Sequence, residues 1–222
     1  MAIAGASESV INYGTMKAWQ ALHVLSPEGC YPFAKKRNGT VLGEGAGVLV
    51  IEEYEHAKAR GATILAELCG YGMTSDSKDM VNPDIEGPSV AMRLALEDAG
   101  LEPSAINYLN AHGTATAIND KNETNAIKEV YGEHAYKLAI SSTKSMHGHP
   151  LGAGGGIEAV ACIKAINEGW VPPTAGLDEV DPDCDLDYVP NVGRDMPVNF
   201  AMSNSFAFGG LNAVLVFGKP PA

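Results

Sequence analysis

Residues 141–156 read SSTKSMHGHPLGAGGG, and the fold follows from how this stretch is punctuated. It comes after Lys137-Leu-Ala-Ile140, a short apolar run suited to a strand, and opens a small-residue helix over about Leu151 to Glu168. Lys144, His147 and His149 therefore fall in a strand-to-helix connection, where α/β proteins gather their chemistry. Gly152, Gly154, Gly155 and Gly156 each cost a helix about 1 kcal/mol against alanine. Four of them in the first two turns predict that something approaches the backbone closely there.

Outward from this stretch the chain alternates strands and helices. Met1 to Gly5 and Val48 to Glu52 read as strands, Ser7 to Leu25 as partly helical, and Tyr54 to Arg60 as a short helix closed by Gly61. Thr63 to Tyr71 is a further strand, and Thr74 to Gly87 a polar connection. Pro88 to Ala99 is a helix with Pro88 at its start and Gly100 beyond its end. Its predicted wet stripe is Ser89, Arg93 and Glu97, with Val90, Ala91, Leu94 and Ala95 facing inward. Ile106 to Ala111 and Leu138 to Ser141 are strands flanking a helix over Asp120 to Tyr131. The Pro- and Asp-rich run Gly169 to Pro197 is expected to pack over the body. Phe200 to Ser205 and Ala213 to Phe217 predict an antiparallel hairpin. The alternation predicts a mixed, mostly parallel sheet flanked by helices.

The bulk numbers exclude several functions. A formal charge of -12 argues against nucleic acid, which selects a basic face. The one basic cluster, Lys35-Lys36-Arg37, is either a solvated loop or a contact for an acidic partner. No apolar run approaches a membrane span and no signal peptide is visible, so a soluble, cytoplasmic protein is expected. The four cysteines, Cys30, Cys69, Cys162 and Cys184, have neither CxxC nor metal spacing. His147 and His149 could be two metal ligands, but no third lies at a telling spacing. No metal and no cofactor are expected.

Three strand ends point loaded turns at one region: His112-Gly-Thr-Ala-Thr116, Lys144 to Gly156, and Asn204 to Asn212. If their strands are parallel neighbours, the turns share the carboxyl edge of one sheet. The candidates are His112, Lys144 and His149, with Glu123 on the helix after His112. Two neutral imidazoles can donate N–H bonds to one oxygen and so stabilise an enolate or a thioester oxyanion. A lysine near a glutamate would set their protonation states. Each residue alone also has a structural reading, as a turn histidine or a surface ion pair.

The motifs are more specific than the single residues. Asn110-Ala-His-Gly-Thr-Ala-Thr-Ala-Ile-Asn-Asp120 resembles the NAHGT motif region of elongating β-ketoacyl-[acyl-carrier-protein] synthases. Ser142-Thr-Lys-Ser-Met-His-Gly-His149 with Leu151-Gly-Ala153 is similar to their STKSxxGHxxGA motif, and Ser203 to Asn212 to NSFGFGGTN. Val41-Leu-Gly-Glu-Gly-Ala-Gly47 and Met1 to Glu8 resemble two of their strand segments.

The resemblance implies a thiolase-like fold and a decarboxylative Claisen condensation of malonyl-carrier protein with an acyl thioester, in fatty acid or polyketide biosynthesis. His112 and His149 would then flank the malonyl thioester, with Lys144, paired to Glu123, in support. Phe208 would gate the acyl pocket beside Phe206, and the loop from Gly209 and Gly210 would lend N–H groups near the oxyanion. It implies that residues 1–61 are the tail of an N-terminal half and 62–222 the C-terminal half. The nucleophilic cysteine would lie in a first part of the N-terminal half that is absent here. Malonyl- and acyl-loaded acyl carrier protein, and a chain or segment supplying that cysteine, would be the partners, in a homo- or hetero-oligomer. A non-catalytic partner subunit resembling chain-length factors, or an inactive fragment, is the alternative. His147, Pro150, Ala207 and Leu211 depart from the motifs, as do Tyr31, Ala34 and Asn38 from a loop that is otherwise charged.

Overall fold

The computed structural model describes residues 1–79 and 84–221, so residues 80–83 of the expected polar connection lie outside the described residues. In chain order the elements are β1 (Ala2–Glu8), α1 (Tyr13–Ala21), β2 (Gly45–Ile51), α2 (Tyr54–Ala59), β3 (Glu67–Ser75) and α3 (Glu86–Ala99). They continue with β4 (Tyr108–Asn110), α4 (Ala117–Tyr131), β5 (Ala139–Ser141), α5 (Lys144–His147), α6 (Gly154–Glu168), β6 (Trp170–Val171), β7 (Arg194–Asp195), β8 (Phe200–Ala207) and β9 (Leu211–Gly218).

The main sheet has the order β3-β9-β8-β4-β5. Parallel pairing joins β5, β4 and β8, while β9 is antiparallel to both β8 and β3. The sheet is therefore mixed, with its parallel part where the predicted turns begin. Leu109, Ile140, Met202, Val214 and Val216 fill one face with Met92 and Leu96 of α3 and Ile127 of α4. Tyr108, Ala201 and Phe217 fill the other face with Ala159, Cys162 and Ile166 of α6. Burying one such side chain stabilises the fold by about 1.5–3 kcal/mol. Among the described residues no helix is long and apolar enough to cross a membrane.

A second sheet pairs β1 with β2 antiparallel, and α6 lies between the two sheets. The close approach predicted for the glycine-rich turn occurs here. A Cβ on Gly156 would stand 2.5 Å from the Gly47 carbonyl oxygen, and one on Gly47 would stand 2.2 Å from the Gly156 carbonyl carbon. Backbone meets backbone because neither residue has a side chain. The outer face of this sheet, with Ile3, Val48 and Val50, is exposed.

Helix α3 and strand β3 depart from prediction in ways that matter to the packing. Helix α3 buries Ser89 and exposes Leu94, because the Ser89 hydroxyl donates to the Ile85 carbonyl (2.8 Å) and needs no water. Strand β3 starts at Glu67, four residues later than expected, and runs on to Ser75. The long connection does pack over the body, burying Leu177, Cys184, Leu186 and Tyr188 in the core. Each acid of the run Asp178 to Asp187 faces a cation: Asp178 with Lys36, Glu179 with Lys35, Asp181 with Arg37, Asp183 with Lys121, Asp185 with Lys128, and Asp187 with Arg194. The Lys35-Lys36-Arg37 cluster is thus paired within the chain.

Candidate active site

Strand β4 ends at Asn110, and two residues later the buried His112 stands at the sheet's carboxyl edge. Its backbone is fixed from α4, where the Glu123 carboxylate accepts from the N–H groups of His112 and Gly113, both at 2.8 Å. Asn204 of β8 donates to the same carboxylate at 3.1 Å. Burial nonetheless pushes the Glu123 carboxyl up to about 7. Glu123 therefore supports the His112 turn and does not pair with Lys144.

Lys144 begins α5, directly beyond β5, and its ammonium pairs with Glu158 of α6. Both side chains are 1% exposed. The expected Lys144–Glu123 pair is corrected to Lys144–Glu158. Glu123 is committed to the opposite turn, while Glu158 sits one turn into the helix that starts beyond Lys144.

His149 is held by its backbone. Its N–H donates to the Val41 carbonyl (2.7 Å), and its carbonyl accepts from Gly43 (2.9 Å). These two bonds tie the Val41-Leu-Gly segment to the site. The His149 ring lies 5.5 Å from the His112 ring, nearly perpendicular at 86°. Burial first, then the Lys144 charge, pushes His149 down to about 3 and His112 well below its ordinary value. Both imidazoles are neutral at pH 7, and the Nδ1 of each is buried without a protein partner. His147 turns away, its ring bonded to Thr143 and to the Gly148 carbonyl, and faces a separate groove.

The two histidines, Lys144 and Glu158 line a cavity of about 930 Å³ together with Phe206, Phe208 and Gly210. Phe206 is buried 5.5 Å from the His112 ring, while Phe208 is 41% exposed at the hairpin tip. Gly209 and Gly210 both take positive φ (81° and 77°), a turn that favours glycine. Gly210 is also pinned, its carbonyl accepting from the Asp76 N–H (3.0 Å) and from Asn212 (3.0 Å). None of the four cysteines lines the cavity, and burial holds the Cys30, Cys69 and Cys184 thiols at about 11 and Cys162 higher still.

Two site residues escaped the sequence reading. Glu158 had a signal, as the one charged residue in the small and apolar first half of α6. Trp19 had none, since it lies in a mixed segment. In the structure it stacks on Phe208 (5.5 Å between ring centres) and meets the His149 ring edge-on (6.2 Å).

Residues 65–178 match the family described as Beta-ketoacyl synthase, C-terminal domain, and residues 1–57 match Beta-ketoacyl synthase, N-terminal domain. The chain is 55% identical over 215 residues to nodulation protein E of Rhizobium leguminosarum bv. trifolii, covering 97% of this chain and 53% of that protein. It is 50% identical over 224 residues to 3-oxoacyl-[acyl-carrier-protein] synthase 2 of Staphylococcus aureus, covering 98% of this chain and 54% of that protein. Among solved structures, the ishigamide ketosynthase/chain length factor superposes with a TM-score of 0.94 at 41% identity, over 99% of this chain and 54% of that one. The AntDE:AntF assembly, a type II PKS acyl-carrier protein in complex with its ketosynthase bound to the hexaketide, gives 0.96 at 42% identity, over 99% and 56%. The chain spans about half the length of the curated relatives it matches.

Proposed function

This chain belongs to the β-ketoacyl synthase family, and we propose that it carries the malonyl half-site of a 3-oxoacyl-[acyl-carrier-protein] synthase of fatty acid or polyketide biosynthesis. The observation that supports this best is the pair of neutral, perpendicular imidazoles 5.5 Å apart beside a buried cation. When a malonyl thioester loses carbon dioxide, the bond to the carboxylate breaks and its electron pair stays on the α-carbon. The charge delocalises onto the thioester oxygen, where the N–H groups of His112 and His149 stabilise it. The α-carbon then attacks an acyl thioester, a carbon–carbon bond forms, and the thiolate leaves.

Protonated imidazoles beside Lys144 would cost this site its neutral donors, and the depressed basicity of both rings keeps them uncharged. The thiolate belongs to a cysteine from a segment or partner chain beyond these 222 residues, because the four thiols present are buried or held up near 11 and higher. Residues 1–61 serve as the tail of the half that would bear it, and residues 62–222 as the other half. Acyl carrier protein delivers both substrates, in the cytoplasm, to a homo- or hetero-oligomer. The similar ketosynthase solved with its carrier protein supports that partner.

The absence of an activated thiol from the cavity favours one other assignment, a non-catalytic partner of the chain-length-factor kind or an inactive fragment. Release of labelled carbon dioxide from malonyl-carrier protein separates the two, measured with the chain alone and with a cysteine-bearing partner. We expect release that falls about 100-fold or more in His112→Ala and in His149→Ala, as for loss of one oxyanion donor. A cysteine-directed ketosynthase inhibitor should label no thiol of this chain stoichiometrically. Release that is indifferent to both histidines would remove the enzyme assignment.

A further inference from the structure

Phe208, Trp19, His149, His112 and Phe206 form one run of ring contacts along the cavity. Its inner members are fixed. His112 is locked by Glu123 and His149 by the Val41–Gly43 backbone. Its outer members are not. Helix α1 buries none of its residues, and Phe208 stands at the tip of the β8–β9 hairpin, followed by two glycines with positive φ. Half-buried Trp19 joins these two loosely held elements to each other and to His149.

We propose that Trp19 is a positioning and specificity-determining residue: its stack on Phe208 holds that ring across the outer cavity and limits the bulk of the acyl thioester that reaches His149. The proposal rests on the thioester assignment above. Stacking of two aromatic rings favours the joined state by roughly 2- to 12-fold beyond simple burial. That is enough to keep Phe208 in place and little enough for a ligand to displace it. A small malonyl group reaches the histidines past the stack, whereas a long acyl chain extends into the part of the cavity that Trp19 and Phe208 line.

The test has two arms. Trp170→Phe leaves Trp19 as the sole tryptophan of the two in the chain. In that background Phe208→Ala should shift Trp19 emission to longer wavelength and raise its quenching by acrylamide severalfold; unchanged emission and quenching overturn the stack. In the second arm, calorimetry follows the N-acetylcysteamine thioesters of malonate and dodecanoate. Trp19→Ala should tighten dodecanoyl binding by about 2- to 12-fold and leave malonyl binding within about twofold, with Trp19→Phe restoring the wild-type ratio. An unchanged ratio in Trp19→Ala, with both thioesters bound, overturns the specificity role alone. Wild-type protein that binds neither thioester overturns the ligand class itself, and the specificity role with it.

Discussion

Removing either member of the Lys144–Glu158 pair should unfold the protein far more readily than removing both. The two side chains are each 1% exposed, so a charge left alone there has no water to turn to. Breaking a buried pair from one side costs about 3–5 kcal/mol, whereas replacing both partners with apolar residues of similar volume is often neutral or better. Lys144→Met and Glu158→Leu should therefore each lower the urea midpoint by about 1–2 M, taking a denaturant slope of about 2–3 kcal/mol/M. The double variant should return to within about 0.5 M of wild type, giving a large favourable coupling in the double-mutant cycle. Function should not return with stability. Without the Lys144 charge the His149 basicity rises toward its ordinary value, in the direction opposite to that charge's effect in the wild type, and the ring nitrogens can be followed by NMR across pH 4–7. The double variant should be folded yet poor at releasing carbon dioxide from malonyl thioesters. Additive single effects, or single variants as stable as wild type, would show that the pair is not the dry, mutually dependent unit described here.

Three further outcomes follow from the packing and charge. Gly155→Ala, with its nearest neighbour 3.5 Å from the added Cβ, should gain up to about 1 kcal/mol of helix propensity, while Gly156→Ala should destabilise because its Cβ meets the Gly47 carbonyl at 2.5 Å; thermal melts of the two compare them directly. Arg37→Leu strips the buried Asp120 and the half-exposed Asp181 of their cation and should cost about 3 kcal/mol or more in urea unfolding. Lys35→Ala and Lys36→Ala, whose pairs lie in water, should leave the midpoint where it was. Glu123 binds its proton more tightly folded (about 7) than unfolded (4.5), so its contribution is complete below about pH 4.5 and is lost as pH rises through 7. That contribution is about 3 kcal/mol at most, and the difference in urea midpoint between wild type and Glu123→Gln should change with pH across that window.

The turns and their order were legible in the sequence because strand ends, glycines and polar residues mark them locally. His112, Lys144 and His149 reach one cavity since β4, β5 and β8 are parallel neighbours, which alternation alone suggested. What was not legible depends on burial. Glu123 and Glu158 look alike as letters, and only their places on opposite sides of the sheet decide that one holds backbone N–H groups and the other an ammonium. Ser89 reads as a wet residue until its hydroxyl is seen to be satisfied by Ile85. The Lys35-Lys36-Arg37 cluster reads as a solvated loop or a contact for an acidic partner until the acids some 140 residues later fold back onto it. Trp19 gave no periodic signal because α1 has no buried side to generate one.

The touching backbones of Gly47 and Gly156 make α6 a rigid strut between the second sheet and the cavity. Side chains usually cushion a helix against a strand by changing rotamer, and here there is no cushion. Glu158 projects from the same strut two residues beyond the contact and carries the counter-charge for Lys144. The opposite face of β2 is the exposed one bearing Val48 and Val50. A shift of β2 therefore meets no side chain that could absorb it before it reaches the helix carrying Glu158.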